Sequence, residues 1–405
     1  MVRPRRARHH VAQRLSNGER SGPRCEWVAV LRWFAWASRL AMPIGILFFF
    51  IHKIHCNRLA IPAQQGPRYP PMDLNLLRQS LAVPIKQAGH IDGAGRQAFQ
   101  IGQKIGLSET DLDAAVFIAV ELATNLITHG GGGDLIFRVI DNDSDHGIEL
   151  MSLDNGPGMI VSRCMDDGYS TTGGAGTGLG TVRRLATAFD AYSLAEIGSV
   201  LVARILKRTS GTSLFDIGSL CLPVAGERYC GDAWAVQEHQ DRLSMMVSDG
   251  LGHGIGAAEA SDLALGIFAR GLDHTPSAML EAQHVALNAS VGAAVLTCRL
   301  DIRTNMMSCA GVGNVAGVIV DGADERGVVS LEGVVGSRVR KIKTFDYDVL
   351  AGQTLVFHSD GLTSRWRLKD FPGLFSRSAA VIAGVMFKTY RRGKDDATVL
   401  VVRRR

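Results

Sequence analysis

Glu149-Leu150-Met151-Ser152-Leu153-Asp154-Asn155-Gly156-Pro157-Gly158 reads as a strand that runs into a glycine-rich loop, and this stretch decides the fold of the first half of the chain. An acid at a strand end, followed by glycines that let a ligand approach the backbone, can accept a hydrogen bond from an exocyclic amine. Upstream, Glu109 to Thr128 predicts an amphipathic helix opened by a Ser108 cap. Glu121 and Asn125 lie four residues apart on it and share one face. An Asn oxygen suits a magnesium ion that accompanies phosphate, and a Glu beside it can orient or deprotonate a nucleophile. Downstream, Gly173-Gly174-Ala175-Gly176-Thr177-Gly178-Leu179-Gly180 leads into a helix predicted over Gly178 to Phe189, whose first N–H groups suit phosphate oxygens. Taken singly, each motif has a plain structural reading as a turn, a hinge or a solvated face. Together, and in this order, they point to a nucleotide site.

Around these motifs the pattern predicts strands over Leu74–Ile85, Asp134–Ile140, Gly147–Asp154, Ala191–Glu196 and Val200–Lys207, with a further helix over Asp92–Ile105. Strands and helices come in separate runs, which favours an α+β sandwich over a doubly wound parallel sheet. Residues 73–207 resemble the GHKL ATP-binding fold in its anti-sigma-factor kinase branch. Asp167-Gly168-Tyr169-Ser170-Thr171, the run from Gly174 to Gly180, and Arg183-Arg184-Leu185 are most similar to the switch kinases of the RsbT type. The resemblance implies that Glu121 is the catalytic base and Asn125 the magnesium ligand. It makes Asp154, with Gly156 and Gly158, the adenine-reading loop, and Gly174, Gly176, Thr177, Gly178, Leu179 and Gly180 the phosphate lid. Gly198-Ser199 stands where the family usually has Gly-Thr, which keeps a hydroxyl for the nucleotide. His129 reads as a helix-end residue.

Arg208–Phe215, rich in Ser and Thr, reads as a linker. The strand-dominated unit after it places acids at strand ends: Asp232 opens one predicted strand, Asp249 and Asp360 end two others, and Asp395-Asp396 open the last. A carboxylate cluster of this kind needs cations to neutralise it, and oxygen-only ligands suit magnesium or manganese rather than zinc. Two such ions would activate water for in-line attack on a phosphoryl group. Gly231-Asp232, then Ser248-Asp249-Gly250-Leu251-Gly252-His253-Gly254, Ser359-Asp360-Gly361-Leu362 and Asp395-Asp396-Ala397-Thr398-Val399 stand in the order of the PPM metal-dependent protein phosphatases. Two helices after DGLGHG, near Gly256–Arg270 and Pro276–Asn288, together with Ala310-Gly311-Val312-Gly313-Asn314, are similar to the sporulation (SpoIIE) branch and its RsbX-like members. The resemblance covers residues 216–403. It implies an α-β-β-α sandwich in which Asp232, Asp249, the Gly250 carbonyl, Asp360 and Asp395 hold the metals, with Asp396 the ambiguous neighbour. His253 reads as structural rather than as a proton donor, and Cys230 as buried filler rather than a nucleophile.

The domain reading is therefore a basic extension over 1–71, an ATP-binding kinase unit over 72–207, a linker over 208–215 and a phosphatase unit over 216–405. A length of 405 residues accommodates this at roughly 150 residues per domain. The net charge of +5 conceals an asymmetry: residues 1–71 carry 12 Lys and Arg against 2 acids, and the remainder 32 against 37. An acidic body excludes nucleic acid as its partner. Seven scattered cysteines without a CxxC pair fit a reducing cytosol and no zinc site. The apolar stretch Trp27–Ile51 has a clean run of only 12 residues, against about 20 for a spanning helix. It is read as a signal anchor, as the product of a start codon set too early, or as a weakly structured tail. Membrane anchoring is accordingly the alternative to a cytoplasmic location.

The resemblances imply ATP, Mg2+ and Mn2+ as cofactors, and a STAS-domain anti-sigma antagonist or stressosome-like protein as partner, with a sigma factor as a further one. The chain would phosphorylate and dephosphorylate that partner on Ser or Thr. In an alternative reading the ATP unit only binds a partner and the phosphatase is the sole enzyme; in another, neither site turns over and the chain is a scaffold.

Overall fold

The computed structural model describes residues 79–404 apart from 143, 165–177, 196, 209–212, 272 and 323. Residue alternation explains how its first sheet is used. Strands β1 (Leu81–Ile85), β2 (Gly133–Asp141), β3 (Asp145–Asp154), β4 (Ala188–Leu194) and β5 (Gly198–Arg208) pair antiparallel in the order β1-β2-β3-β5-β4. Leu135, Phe137, Ile148, Leu150, Leu201 and Ala203 point to one face and share a core with helices α1 (Ile91–Lys104) and α2 (Glu109–Thr128). The residues between them, Ile136, Met151, Val200 and Val202, point to the other face and join a second core. Successive side chains of a strand alternate sides, so this sheet is buried on both faces.

Helix α2 starts where the Ser108 hydroxyl accepts the Asp111 N–H at 3.2 Å. A short helix α3 (Val161–Cys164) follows β3. Helix α4 (Gly178–Leu185) is shorter than the sequence predicts, because Ala188 and Phe189 already pair with β5 as part of β4. Of the first predicted strand, residues 74–78 lie outside the described residues, and the strand proper begins at Leu81. At the predicted linker, β5 extends through Arg208 and the next strand already contains Phe215.

Two more antiparallel sheets make up the rest. One has the order β13-β10-β9-β8-β7, from β7 (Asp232–His239), β8 (Arg242–Gly250), β9 (Ala293–Asp301), β10 (Met306–Val312) and β13 (Phe345–Asp348). The other has the order β12-β11-β14-β15-β6, from β6 (Phe215–Leu222), β11 (Ala316–Asp321), β12 (Asp324–Val328), β14 (Thr354–His358) and β15 (Ala397–Arg404). They face each other across Leu243, Met245, Leu296, Leu355, Phe357 and Leu400. Helices α5 (Ile255–Arg270) and α6 (Pro276–Ala286) cover the outer face of the first through Met246, Val295, Phe268 and Leu280. Helix α7 (Ala379–Tyr390) covers the outer face of the second. The layers are thus α-β-β-α. Edge strands β12 and β13 escape the sequence reading because they are mostly exposed and carry no apolar alternation.

Helix α7 has both sides covered. Residues Ala379 to Phe387 are all buried, against β6 and β15 on one side and against Met151, Val200 and Val202 of the first sheet on the other. A helix apolar all round is one that is buried all round. Gly384 makes the fit close: a Cβ there would stand 2.7 Å from Val200 Cγ1 and 2.8 Å from Met151 Sδ. At its start, Ser378 donates its N–H to Asp190 Oδ2 on β4 at 2.6 Å. Beside this seam, Glu149 receives Arg138 Nε at 2.9 Å and Arg204 Nε at 2.6 Å, and Arg204 Nη2 donates to the Ile217 carbonyl at 3.0 Å. Burial works against ionisation of Glu149, but the two guanidiniums outweigh it and hold the carboxyl at about 2.

Among the described residues, no helix is long and apolar enough to cross a membrane. The stretch Trp27–Ile51 lies outside them.

Candidate functional site

The first constellation gathers at one end of the first sheet. Glu121 and Asn125 lie on α2, and Gly178 at the start of α4 is so close that a Cβ on it would meet Glu121 Oε2 at 2.5 Å. A Cβ at Gly178 would displace the Glu121 carboxylate from this position. Asn125 Nδ2 is enclosed and has no hydrogen-bond partner among the described residues. Asp154, the last residue of β3, accepts the N–H groups of Gly156 at 2.8 Å and Ser199 at 3.2 Å on Oδ1. Its Oδ2 has no hydrogen-bond partner among the described residues and remains free to accept a donor. Gly156 and Gly198 are packed against Asp154 and the His129 carbonyl with no room for a side chain, and Gly198 also needs a positive φ of 92°. Gly158, at φ 81°, lies beside Ser193, whose Oγ accepts the Met159 N–H at 2.8 Å. An orphaned amide, a free carboxylate oxygen and a helix start beside a Glu fit a nucleotide with its magnesium.

Leu179 and Gly180 follow Gly178 in α4, whereas Gly174, Gly176 and Thr177 lie outside the described residues. Ser199 Oγ hydrogen-bonds Ser193 Oγ at 3.0 Å, and the Ser199 N–H helps to hold the Asp154 carboxylate. His129 is the C-cap of α2. One neighbour was not marked by the motifs: Lys388 of α7 donates to Asn155 Oδ1 at 2.8 Å and to the Ile197 carbonyl.

The second constellation lies where the two facing sheets end together. Asp232 opens β7 and is the register partner of Asp249 on β8. Asp360 follows β14, and Asp395 precedes β15, the strand paired to β14. Asp232 is 1% exposed and accepts Ser359 Oγ at 2.6 Å, while Asn314 Nδ2 donates to Asp360 Oδ2 at 2.6 Å. Burial, then the charge of Asp249, pushes the Asp232 carboxyl well above the usual range. Asp249 is pushed up to about 7 by burial and by the charges of Asp360 and Asp395.

Asp396 is a structural acid. Its two oxygens accept the N–H groups of Val224 at 2.7 Å and Gly231 at 2.6 Å, and its charge adds to the larger effects of Asp360 and Asp395 on Asp249. Gly250 ends β8 with its backbone against Ala257, closer than any side chain allows. His253 pairs through Nδ1 with Glu227 Oε1 at 2.9 Å, and Cys230 is fully buried against Cys221. Among the described residues, no three His, Cys, Asp or Glu side chains converge closely enough to enclose one ion by themselves. The donor set nevertheless fits hard divalent cations: all oxygen, concentrated negative charge, and an Asp249 carboxyl pushed up by burial and acidic neighbours. Ser359 and Asn314 escaped assignment because a Ser or an Asn carries no signal until its carboxylate partner is located in space.

The family described as Stage II sporulation protein E (SpoIIE) matches residues 239–405, a span that begins after Asp232 and takes in Asp249, Asp360 and Asp395. A stretch of 104 residues is 30% identical to the serine/threonine-protein kinase RsbT of Bacillus subtilis (strain 168), covering 25% of this chain and 78% of that protein. Among solved structures, RsbX in complex with magnesium is 20% identical with a TM-score of 0.41, covering 48% of this chain and 96% of that one. The PP2C phosphatase domain of SpoIIE from Bacillus subtilis with a fragment of its regulatory domain is 16% identical with a TM-score of 0.41, covering 66% and 82%. The chain therefore belongs to the family of the serine/threonine-protein kinase RsbT, and its C-terminal part matches the SpoIIE family.

Proposed function

We propose that this polypeptide sets and erases one phosphate mark. A GHKL-type kinase unit over 72–207 transfers the γ-phosphoryl group of ATP to a Ser or Thr hydroxyl of a protein, giving the phosphoprotein and ADP. A phosphatase unit over 216–405 hydrolyses that phosphoester with water, returning the hydroxyl and inorganic phosphate. The family likenesses favour a STAS-domain or stressosome-like partner in sigma-factor signalling. The observation that carries the phosphatase half of the reading is that Asp232 and Asp249 are register partners at the end of β7 and β8, where the charges of Asp360 and Asp395 act on Asp249.

Bound divalent cations, Mg2+ or Mn2+, supply Lewis acidity and offset the carboxylate charge at that end. Asp232, Asp249, Asp360, Asp395 and the Gly250 carbonyl are the groups that would hold them. Ser359 fixes Asp232 and Asn314 fixes Asp360, so two of the four carboxylates are oriented before any ligand arrives. In the kinase unit, Glu121 would take the proton of the attacking hydroxyl, Asn125 is the residue that would hold a magnesium ion accompanying the phosphates, and Asp154 would accept the adenine amine.

Intact-mass time courses on a purified STAS-domain protein as candidate partner test the proposal. Incubation with ATP and Mg2+ is expected to add one phosphate; removal of ATP and addition of Mn2+ is expected to clear it. Asn125→Ala should abolish the first step and Asp249→Ala the second. If no phosphate is ever added while phosphorylated partner is still cleared, the nucleotide unit is a binding module and the bifunctional reading fails.

A further inference from the structure

In the last turn of α7 a side chain of the phosphatase unit enters the loops around Asp154. Lys388 donates to Asn155 Oδ1 at 2.8 Å and to the Ile197 carbonyl. Asn155 follows Asp154 directly, and Ile197 lies two residues before Ser199, whose N–H holds Asp154 Oδ1. One ammonium group thus ties together the two loops that aim the base-reading carboxylate, and the charge of Asp154 acts on it. The helix that carries it is held between two sheets, so Lys388 is presented from a rigid support.

The same turn continues into the phosphatase carboxylates. Thr363 donates its N–H to the Tyr390 carbonyl at 3.0 Å, Arg392 donates its N–H to the Gly361 carbonyl at 2.8 Å, and Leu362 and Arg391 form a β-bridge between them. These bonds fasten the segment immediately after Asp360 to the segment immediately before Asp395. From Asn155 to Asp360 the connection therefore runs through one side chain, two residues of helix end and a short backbone ladder, with every link a hydrogen bond or a covalent step.

We propose that Lys388 couples the base-reading end of the nucleotide site to the loop that carries Asp360, so that a purine nucleotide bound at Asp154 tightens the phosphatase end of the molecule. The inference rests on the nucleotide reading above. The physical basis is linkage: a nucleotide gains from the arrangement in which Lys388 clamps Asn155 and Ile197, so its binding favours the ordered α7 end and the ladder attached to it. Lys388 is a positioning residue in this scheme and touches no reacting atom.

The test uses the full chain at fixed, saturating Mg2+ with ADP as the probe. Calorimetric titration measures ADP affinity in the wild type, Lys388→Met and Asn155→Ala, and hydrogen–deuterium exchange follows the amides of residues 359–363 with and without ADP. In the wild type, ADP is expected to slow exchange of those amides by about fivefold or more, and both variants are expected to lose that protection and to bind ADP about fivefold more weakly. Lys388→Met keeps the apolar stem that packs in the seam, and Asn155→Ala leaves α7 untouched, so agreement between them separates the bond from a folding defect. ADP that binds the wild type without protecting 359–363 overturns the proposal, as do variants that keep both affinity and protection. Failure of the wild type to bind ADP at all strikes the nucleotide reading first, and this inference falls with it.

Discussion

Glu149 and Asp249 are both largely buried carboxylates on strands, yet they are pushed in opposite directions. Glu149, on β3, faces two guanidiniums and sits at about 2; Asp249, on β8, faces Asp360 and Asp395 and sits at about 7. Burial alone raises both, so the sign of the neighbours decides the outcome. The first cluster is complete as protein: Arg138 and Arg204 satisfy Glu149 and tie the first sheet to the strand that follows it. The second gathers carboxylates whose charges raise Asp249, the arrangement that the proposed function fills with cations. That contrast separates an element that holds the fold from one available for chemistry.

The largest expected effect comes from removing the acid of the second cluster. Asp249→Asn should lower dephosphorylation by a hundredfold or more, about 3 kcal/mol in the barrier, with the far-UV spectrum unchanged. Retained turnover in single-turnover kinetics would break the comparison, because Asp249 would then be no more functional than Glu149.

Glu149→Gln should instead cost about 3 kcal/mol of stability near pH 7, read by urea unfolding. The folded carboxyl lies at about 2 against an ordinary 4.5, so its contribution is fully present above pH 4.5 and is lost as the pH falls towards 2. The stability gap between wild type and variant should close over that window. A gap independent of pH would mean that shape, not charge, makes Glu149 matter.

Cations should discriminate between the clusters as well. Mn2+ at about a hundred times its dissociation constant should stabilise the wild type by about 2.7 kcal/mol, and Asp249→Asn should lose most of that gain while Glu149→Gln keeps it. A thermal melt with and without Mn2+ reads both. The smallest effect is expected away from either cluster: Ser108→Ala removes the α2 cap and should cost about 1 kcal/mol with no dependence on Mn2+.

Much of the candidate chemistry was legible because it is written locally. Glu121 and Asn125 share a helix face by spacing, Asp154 ends a strand before glycines, and Asp249, Asp360 and Asp395 each mark a strand end. The reading of Gly178–Phe189 as one helix failed where local propensity was overridden by pairing: Ala188 and Phe189 gain more from β5 than from another helical turn. Strands β12 and β13 were silent because exposed edges need no apolar alternation.

By itself the sequence determined the order of most strands and helices, the shared helix face of Glu121 and Asn125, and the acid-rich strand ends of the second unit, since each follows from side-chain chemistry and periodicity over a few residues. Only the tertiary structure decided that Asp396 clamps two amides, that the charges of Asp360 and Asp395 act on Asp249, that α7 is buried between two sheets, and that Lys388 reaches Asn155. Those outcomes depend on which groups meet across long stretches of chain. Pairing over such distances is fixed by the packing of whole layers, which no short window of sequence contains.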